Sequence, residues 1–422
     1  MKVVSRELSG QSRRPLLTYK EALTWLYGLQ RFGIKLGLEN IQRLIAELDI
    51  ALRESQIIHV AGTNGKGSVC AMIDSICRAQ RYRTGMFISP HLITFRERIR
   101  VDGEVISEDA VTSGLMNIRD IVADWEPHPT FFEITTALAL KFFSEANLDV
   151  VVLETGMGGR LDATNGVQSD VSVITPIDLD HEKWLGKTIA EIATEKAGII
   201  KPKVPVVSAM QQWEAKKIVR ARAAACEATL QFITESYARS PIALRGNHQK
   251  QNAALAIAAL GAAKLDINNS AIVRGLAAID WPARFQRLDE HTVIDGAHNP
   301  AAARILAETW REIFGDQRAI LILAVLSDKD LQTICEALAP IADSVLLPKI
   351  HSERAASPKE LANVLSSVMP SLPYTIVPSI ADALAQVRKQ PHPILLTGSL
   401  HFAGEVLAYL QGEPAAFEEC AQ

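Results

Sequence analysis

The residues of this chain best placed to do chemistry lie at positions 57–68, IIHVAGTNGKGS. Gly62, Gly65 and Gly67 let the backbone approach an anion closely, and Lys66 adds a point charge. Thr63, Asn64 and Ser68 complete the segment with polar side chains. The β-branched run Ile57, Ile58, Val60 reads as a buried strand that feeds the loop. Val69, Met72, Ile73 and Ile76 recur at helical spacing, so the loop opens a helix. Free backbone N–H groups and the positive end of the helix dipole then converge on one point. The phosphates of ATP fit that point. The standard phosphate loop has a glycine where Val60 stands and a hydroxyl directly after the lysine, whereas here Gly67 separates Lys66 from Ser68. A plain strand-to-helix turn would account for the glycines alone. Strand, loop, lysine, hydroxyl and helix together point to a nucleotide.

Three more positions carry chemistry near strand ends. Glu154 follows the apolar run LDVVVL (148–153) and precedes TGMGG. Ligands gather at the carboxyl ends of strands in an open parallel sheet. A carboxylate there, beside a phosphate loop, is placed to hold Mg²⁺ on the nucleotide. Without the loop it would read as a solvated acid. His181, in DLDH (178–181), follows a third strand, which favours a ligand role over an ordinary core or surface histidine. Lys196, in TEKAG (194–198), reads from residue chemistry alone as a solvated lysine near a helix end.

An open sheet must bring these positions together. The first fifty residues read as helix, loop, helix. Strands are expected at 84–88, 148–153, 171–175 and 204–207, the apolar runs of a parallel sheet covered on both faces. A second series starts at 292–294, continues into a helix through Phe314, and adds strands at 320–325, 344–347, 374–377 and 393–397. The expectation is an α/β fold: a mostly parallel sheet carrying the phosphate-binding loop, plus a smaller C-terminal Rossmann-like α/β domain. WPARFQ (281–286) marks the boundary, giving domains 1–286 and 287–422.

The 422 residues suffice for two or three cores. A hydrophobic content of 48% with 22% charged residues is that of an ordinary soluble α/β protein. The net charge of −4 argues against a nucleic-acid scaffold. No apolar run is long enough to cross a bilayer, and MKVVSRELSGQSRRP lacks a signal-peptide core. Cys70, Cys77, Cys226, Cys335 and Cys420 are scattered, with no zinc spacing, and fit reduced thiols in the cytoplasm.

Ten segments in order resemble the Mur ligase superfamily, and closely its folylpolyglutamate synthase/dihydrofolate synthase family. They are FGIKLGLENI (32–41), GTNGKGS (62–68), SPH (89–91), ETGMGGRLDATN (154–165), LDH (179–181), EKAG (195–198), GNHQ (246–249), DGAHNP (295–300), DKD (328–330) and TGSL (397–400). Several are weak singly; their order along nearly the whole chain is specific.

The resemblance implies roles for individual residues. Gly62, Thr63, Asn64, Gly65, Lys66, Gly67 and Ser68 would hold the ATP phosphates. Ser89, Glu154 and His181 would ligate magnesium. Lys196 would be a carbamylated lysine, in which CO₂ turns a cation into an anionic metal ligand, so two Mg²⁺ are expected. Catalysis would fall to Lys66, His181 and Lys196. Asn252, Arg284 and Asp295 would reach the nucleotide from across the domain boundary. Thr130, Phe132 and Glu133, with Arg160, Asp162 and Ala163, would meet the pterin-bearing substrate. Asp295, His298 and Ser399 would handle the incoming glutamate. Ala283 stands where the family often has glycine, and LHF (400–402) varies the last motif. The stretch 209–245 looks short, so any antiparallel appendage is reduced. RLDATN (160–165) resembles bifunctional members.

The implied reaction is ATP-dependent ligation of L-glutamate to dihydropteroate and to folyl(poly)glutamates through an acyl phosphate. The expected partners are small molecules only, with no nucleic acid and no membrane, and the chain is expected to be a monomer. A cell-wall Mur-type amino-acid ligase is the near rival, against which residues 32–41 and 160–165 speak. A nucleotide-driven switch ATPase would use the same loop but depend weakly on a small amine. A dinucleotide-binding oxidoreductase lacks its G-x-G-x-x-G after the first strand.

Overall fold

The computed structural model describes residues 17–33, 37–52, 54–387 and 392–419. Ile34, Lys35 and Leu36 of the FGIKLGLENI segment, the MKVVSRELSGQSRRP leader and Cys420 lie outside the described residues.

The first sheet has eight strands: β1 (Gln56–Ala61), β2 (Thr84–Phe87), β3 (Ile99–Val101), β4 (Glu104–Val105), β5 (Val150–Glu154), β6 (Val171–Ile174), β7 (Val206–Ala209) and β8 (Leu230–Ile233). Their order is β4-β3-β2-β5-β1-β6-β7-β8, parallel throughout except for β3 and β4 at one edge. The strand after the phosphate loop's own is therefore not its neighbour. β1 lies at the centre, flanked by β5 and β6.

Alternation along β5 explains its uninterrupted apolar sequence. Val151 and Leu153 face a core shared with the helices Tyr19–Gly28, Glu108–Val122 and Phe131–Glu145. Val150 and Val152 face the opposite core, built with the helices Lys66–Ala79 and Asn247–Ala262. Successive side chains of a strand point to opposite faces, so both sets must be apolar when both faces are covered.

The second sheet comprises β9 (Gln286–Arg287), β10 (Thr292–Ile294), β11 (Ala319–Leu323), β12 (Ala342–Pro348), β13 (Tyr374–Val377) and β14 (Ile394–Thr397). Its order is β13-β12-β11-β14-β10-β9, with only β9 antiparallel. Every strand expected from apolar runs is present, with ends displaced by a few residues. Three short pieces carry too little pattern to be expected: the β3–β4 hairpin, β8 and β9. Residues 209–245 form the helix Trp213–Ala225 and β8, which extends the sheet in parallel, so this stretch contains no antiparallel strand. Among the described residues, no helix is long and apolar enough to cross a membrane.

Candidate active site

The phosphate loop leaves β1 at Ala61 and is moulded against the chain leaving β6. Gly62 has φ 150°, and a Cβ there would lie 1.8 Å from Thr175 Oγ1. Gly65, at φ 89°, is the N-cap of the helix Lys66–Ala79. Both positions need glycine because a side chain would clash or strain the backbone. The Thr63 amide donates to the Pro176 carbonyl (2.9 Å), and the Thr63 hydroxyl exchanges hydrogen bonds with the backbone of Asp178 (3.0 Å each). Lys66 Nζ curls back to donate to the carbonyls of Gly62 (3.1 Å) and Thr63 (3.2 Å).

Lys196 corrects the solvated reading that its residue type suggests. It sits near the end of the helix Ile189–Ala197, is buried, and donates to the same Gly62 carbonyl at 2.8 Å. Two ammonium groups thus share one acceptor, an arrangement that invites an anion. Burial, then the Lys66 charge, pushes the Lys196 amine down to about 7.

Glu154 is the last residue of β5 and pairs in register with Val60 of β1, which sets it beside the loop. Its Oε2 accepts from the Ser89 amide at 3.1 Å. Burial raises the carboxyl, while Lys66 and the Ser89 amide pull it down. The Ser89 hydroxyl is buried and has no hydrogen-bond partner. A buried orphan hydroxyl beside a carboxylate is a hard oxygen pair suited to Mg²⁺ or Mn²⁺. Among the described residues, no three His, Cys, Asp or Glu side chains converge, so phosphate oxygens and water would complete such a metal's shell. His181 adopts φ 52° at the start of the helix Glu182–Leu185. Its side chain stays solvent-accessible, yet desolvation by the surrounding protein, then the Lys329, Lys66 and Lys196 cations, pushes its imidazole to about 4 against the pull of Asp180.

The second sheet meets this loop from the other side. Asp295 follows β10 and accepts from the amides of Phe285 (2.7 Å) and Ala297 (2.8 Å). Burial raises its carboxyl against the opposing Arg284 charge. Arg284 Nη1 donates to the Ala283 carbonyl at 2.9 Å. Asn252 does not come from across the boundary as expected: it stands on the helix Asn247–Ala262, packed on the first sheet, where its Oδ1 would lie 2.8 Å from a Cβ on Gly65 and its Nδ2 donates to Gln249 (3.0 Å). His298 Nδ1 bonds the Gly296 carbonyl (2.9 Å). Ser399 caps the helix Leu400–Leu410 by accepting from the Phe402 amide at 3.0 Å.

The segments assigned to the pterin form the far wall. Thr130 and Glu133 make a capping box, with Glu133 Oε2 accepting from the Thr130 amide (2.8 Å) and hydroxyl (2.9 Å). Phe132 packs where Gly156 leaves room, since a Cβ on Gly156 would lie 2.4 Å from its ring. Asp162 accepts from the amides of Met157 (2.9 Å) and Thr164 (3.0 Å) and so shapes the loop that carries Ala163. Arg160 departs from expectation. Its guanidinium is exposed, pairs with Glu195 at 2.9 Å, and lies outside the cleft lining. The other expected site residues all line one cleft of about 1270 Å³.

Sequence reasoning passed over a cluster that joins the two sheets. Asp180 accepts from Lys329 Nζ at 2.7 Å and from Asn299 Nδ2 at 3.1 Å, with His298 Nε2 at 3.8 Å. Despite burial, the neighbouring His181, then His298 and Lys329, hold its carboxyl far below the usual range. Asn299 also exchanges amide hydrogen bonds with Asn64 of the phosphate loop (3.0 and 3.2 Å). Both LDH and DKD stood out in the sequence, but nothing there pairs them.

Residues 60–240 match the Mur ligase middle domain, and residues 283–400 match the Mur ligase glutamate ligase domain. The chain is 35% identical to the dihydrofolate synthase/folylpolyglutamate synthase of Bacillus subtilis, over 92% of this chain and 98% of that protein. The Mycobacterium tuberculosis folylpolyglutamate synthase, solved with ADP and AMPPCP, superposes with a TM-score of 0.86 at 32% identity, covering 93% of this chain and 99% of that one. The bifunctional folylpolyglutamate synthase/dihydrofolate synthase of Yersinia pestis, solved with AMPPNP and a Mn ion, gives 0.84 at 30% identity, covering 95% and 100%. The chain belongs to the folylpolyglutamate synthase/dihydrofolate synthase family of Mur ligases.

Proposed function

We propose that the chain ligates L-glutamate both to dihydropteroate and, through their γ-carboxylates, to folyl(poly)glutamates, at the expense of ATP. The observation that carries this reading is the single cleft in which the phosphate loop, Glu154 and Lys196 face Asp295, His298 and Ser399. A carboxylate does not form an amide in water unaided. Transfer of the ATP γ-phosphoryl group to that carboxylate forms an O–P bond, breaks the bond to the β-phosphate oxygen, and releases ADP. The glutamate nitrogen then attacks the acyl carbon, phosphate leaves with the C–O bonding pair, and the nitrogen loses a proton. Such transfers need positioning and charge neutralisation more than covalent help.

Lys66 and the helix N-terminus neutralise the transferring phosphate, and Arg284 faces it from the segment that joins the two domains. A divalent metal, when bound, adds charge neutralisation at the phosphates, with Ser89 and Glu154 as its first ligands. A second Mg²⁺ would take His181 and a carbamate on Lys196. With its amine pushed to about 7, Lys196 is about half neutral near pH 7. The neutral nitrogen adds to CO₂ and loses a proton, and the product is an anion beside the Lys66 ammonium. Domains 1–286 and 287–422 would close to exclude water from the acyl phosphate. We place the enzyme in the cytoplasm as a monomer. The buried free thiols Cys70, Cys77, Cys226 and Cys335 suit a reducing compartment.

The test is phosphate release and product mass with dihydropteroate, tetrahydrofolate or a muropeptide, each with and without L-glutamate. One glutamyl residue gained on both pterin substrates is the expected result. Gain on the muropeptide alone would move the enzyme to the cell-wall branch. Phosphate release indifferent to glutamate would mark a switch ATPase.

A further inference from the structure

The end of the described chain leaves its own domain. After the helix Leu400–Leu410 it turns through Pro414–Ala416, and the next two residues touch both domains. Phe417 lies edge-on to His401, with ring centroids 4.9 Å apart, on the helix that Ser399 caps. Glu418 reaches the first domain through its amide, its carbonyl and one carboxylate oxygen. Its amide donates to the Ile93 carbonyl (2.8 Å), and its carbonyl accepts from His91 Nε2 (2.9 Å). Its carboxylate accepts from the Phe95 amide (2.5 Å) and from the Tyr19 hydroxyl (3.4 Å). Arg98 Nε donates to His91 Nδ1 at 2.8 Å, so the His91 proton must sit on Nε2, aimed at Glu418.

These contacts converge on a loop that forms the cleft wall directly after Ser89. Glu97 already holds three of its amides, those of Leu92, Ile93 and Thr94, at 2.9 Å each. Glu418 takes the fourth, Phe95. The helix Leu400–Leu410 presses on the same loop, since a Cβ on Gly404 would lie 1.8 Å from the Leu92 carbonyl. The Phe95 partner is 323 residues distant in sequence, so this amide is satisfied only while the second domain is docked.

We propose that Glu418 is a positioning residue: it straps residues 91–95 in place, and with them Phe95, which stands edge-on to Phe131 of the pterin-side wall with ring centroids 6.5 Å apart, so that this wall is set only when the C-terminal tail is docked. This rests on the ligase assignment above. The strap links occupancy of the second domain's docking position to the quality of the first domain's substrate site. A freed loop would have to be ordered by the substrate itself, and that ordering is charged against binding.

The experiment compares full-length wild type, Glu418→Ala, Glu418→Gln and Phe417→Ala. It reads steady-state kinetics with dihydropteroate, ATP and L-glutamate, together with amide hydrogen exchange over residues 91–98. Glu418→Ala should raise KM for dihydropteroate ~10-fold, the scale of one charge-assisted hydrogen bond. KM for ATP should stay within about twofold on the same scale, and exchange at 91–98 should quicken. Glu418→Gln keeps an acceptor for the Phe95 amide and should restore most of the KM; Phe417→Ala should act in the same direction from the other side. An unchanged dihydropteroate KM, unchanged exchange, or all three KM values moving together with the melting temperature would overturn the strap. A wild type that ligates neither pterin substrate would instead overturn the assignment, and the exchange comparison would still decide the strap.

Discussion

The two walls of the cleft are built on different principles. On the phosphate-loop wall, like charges crowd and a polar group goes unpartnered: Lys66 and Lys196 share the Gly62 carbonyl, and the Ser89 hydroxyl has no partner. On the opposite wall the polar groups are occupied. Asp295 holds two amides, Ser399 and Asn299 cap helices, and His298 bonds Gly296. Unsatisfied buried groups cost stability, and they persist where a ligand satisfies them. The first wall is therefore the chemical one, and the second holds its partners in fixed positions.

The largest effect should come from the group whose charge state the first wall most depends on. Lys196→Ala would remove the proposed carbamate, and ligation should then fall to background while the fold survives; a short carboxylic acid added in trans should restore part of the turnover. Near wild-type ligation by this variant would return Lys196 to a structural role. Acidification should mimic the substitution. Carbamate formation needs the neutral amine, so below about pH 7 the protonated fraction rises and CO₂-dependent activity should decline. Lys66→Ala comes next. It would delete the charge proposed to face the transferring phosphate, a loss that typically costs ~10²–10³ in rate. A variant with normal kcat would show that the loop does not cradle the reactive phosphate.

The contrast between the walls also explains what the sequence revealed. The phosphate loop and β5 are legible because their signals are contiguous: glycines, a lysine and alternating faces within a dozen residues. Glu154 is legible because a strand end fixes its place. Asp180 is not, because its meaning depends on Lys329, 149 residues away, and no local pattern pairs them. Lys196 looks ordinary because burial is a tertiary property. Arg160 misleads in the opposite sense: a basic residue in a family-like motif is turned outward by Glu195. Glu133 sits in a T-x-x-E pattern before an apolar run, the local signature of a capping box, and that is the work its carboxylate does here. The β3–β4 hairpin escaped notice because strands of two and three residues carry no periodicity.

Between the walls stands the Asp180 cluster, and breaking it should have an intermediate effect. Lys329→Met removes the ammonium that meets the buried Asp180 carboxylate at 2.7 Å and leaves it the Asn299 amide and the neighbouring imidazoles. Loss of one partner of a buried pair costs about 3 kcal/mol. In the native protein the Asp180 carboxyl is depressed, so its contribution is full above the ordinary aspartate range near pH 4 and is lost only in stronger acid. In the variant the sign reverses. A buried carboxylate without its ammonium titrates upward, and its destabilisation is largest at neutral pH and relieved as protonation neutralises it. Melting temperature followed from pH 7 to pH 5 should therefore narrow the gap between variant and wild type. A constant gap would show that Lys329 contributes packing rather than charge. Asp180→Asn combined with Lys329→Met should be less damaging than Lys329→Met alone.

The smallest effect belongs to the occupied wall. Ser399 has two assignments, helix cap and contact for the incoming glutamate, and they predict different readouts. As a cap, its Oγ accepts the Phe402 amide at 3.0 Å, and Ser399→Ala should cost about 1 kcal/mol of stability. That loss would appear in the melting temperature whether or not glutamate is present. As a glutamate contact, Ser399→Ala should raise KM for glutamate while KM for ATP stays put. A variant that loses stability with an unchanged glutamate KM would confine Ser399 to the scaffold and leave Asp295 and His298 as the glutamate-facing groups. A raised glutamate KM with the expected small stability loss would show that one hydroxyl serves both purposes: it satisfies a helix terminus through a lone pair and keeps its proton free for the substrate carboxylate. A hydroxyl offers one donor and two acceptor positions, so the two roles are chemically compatible. The wall that looks saturated would then still hold one unspent donor.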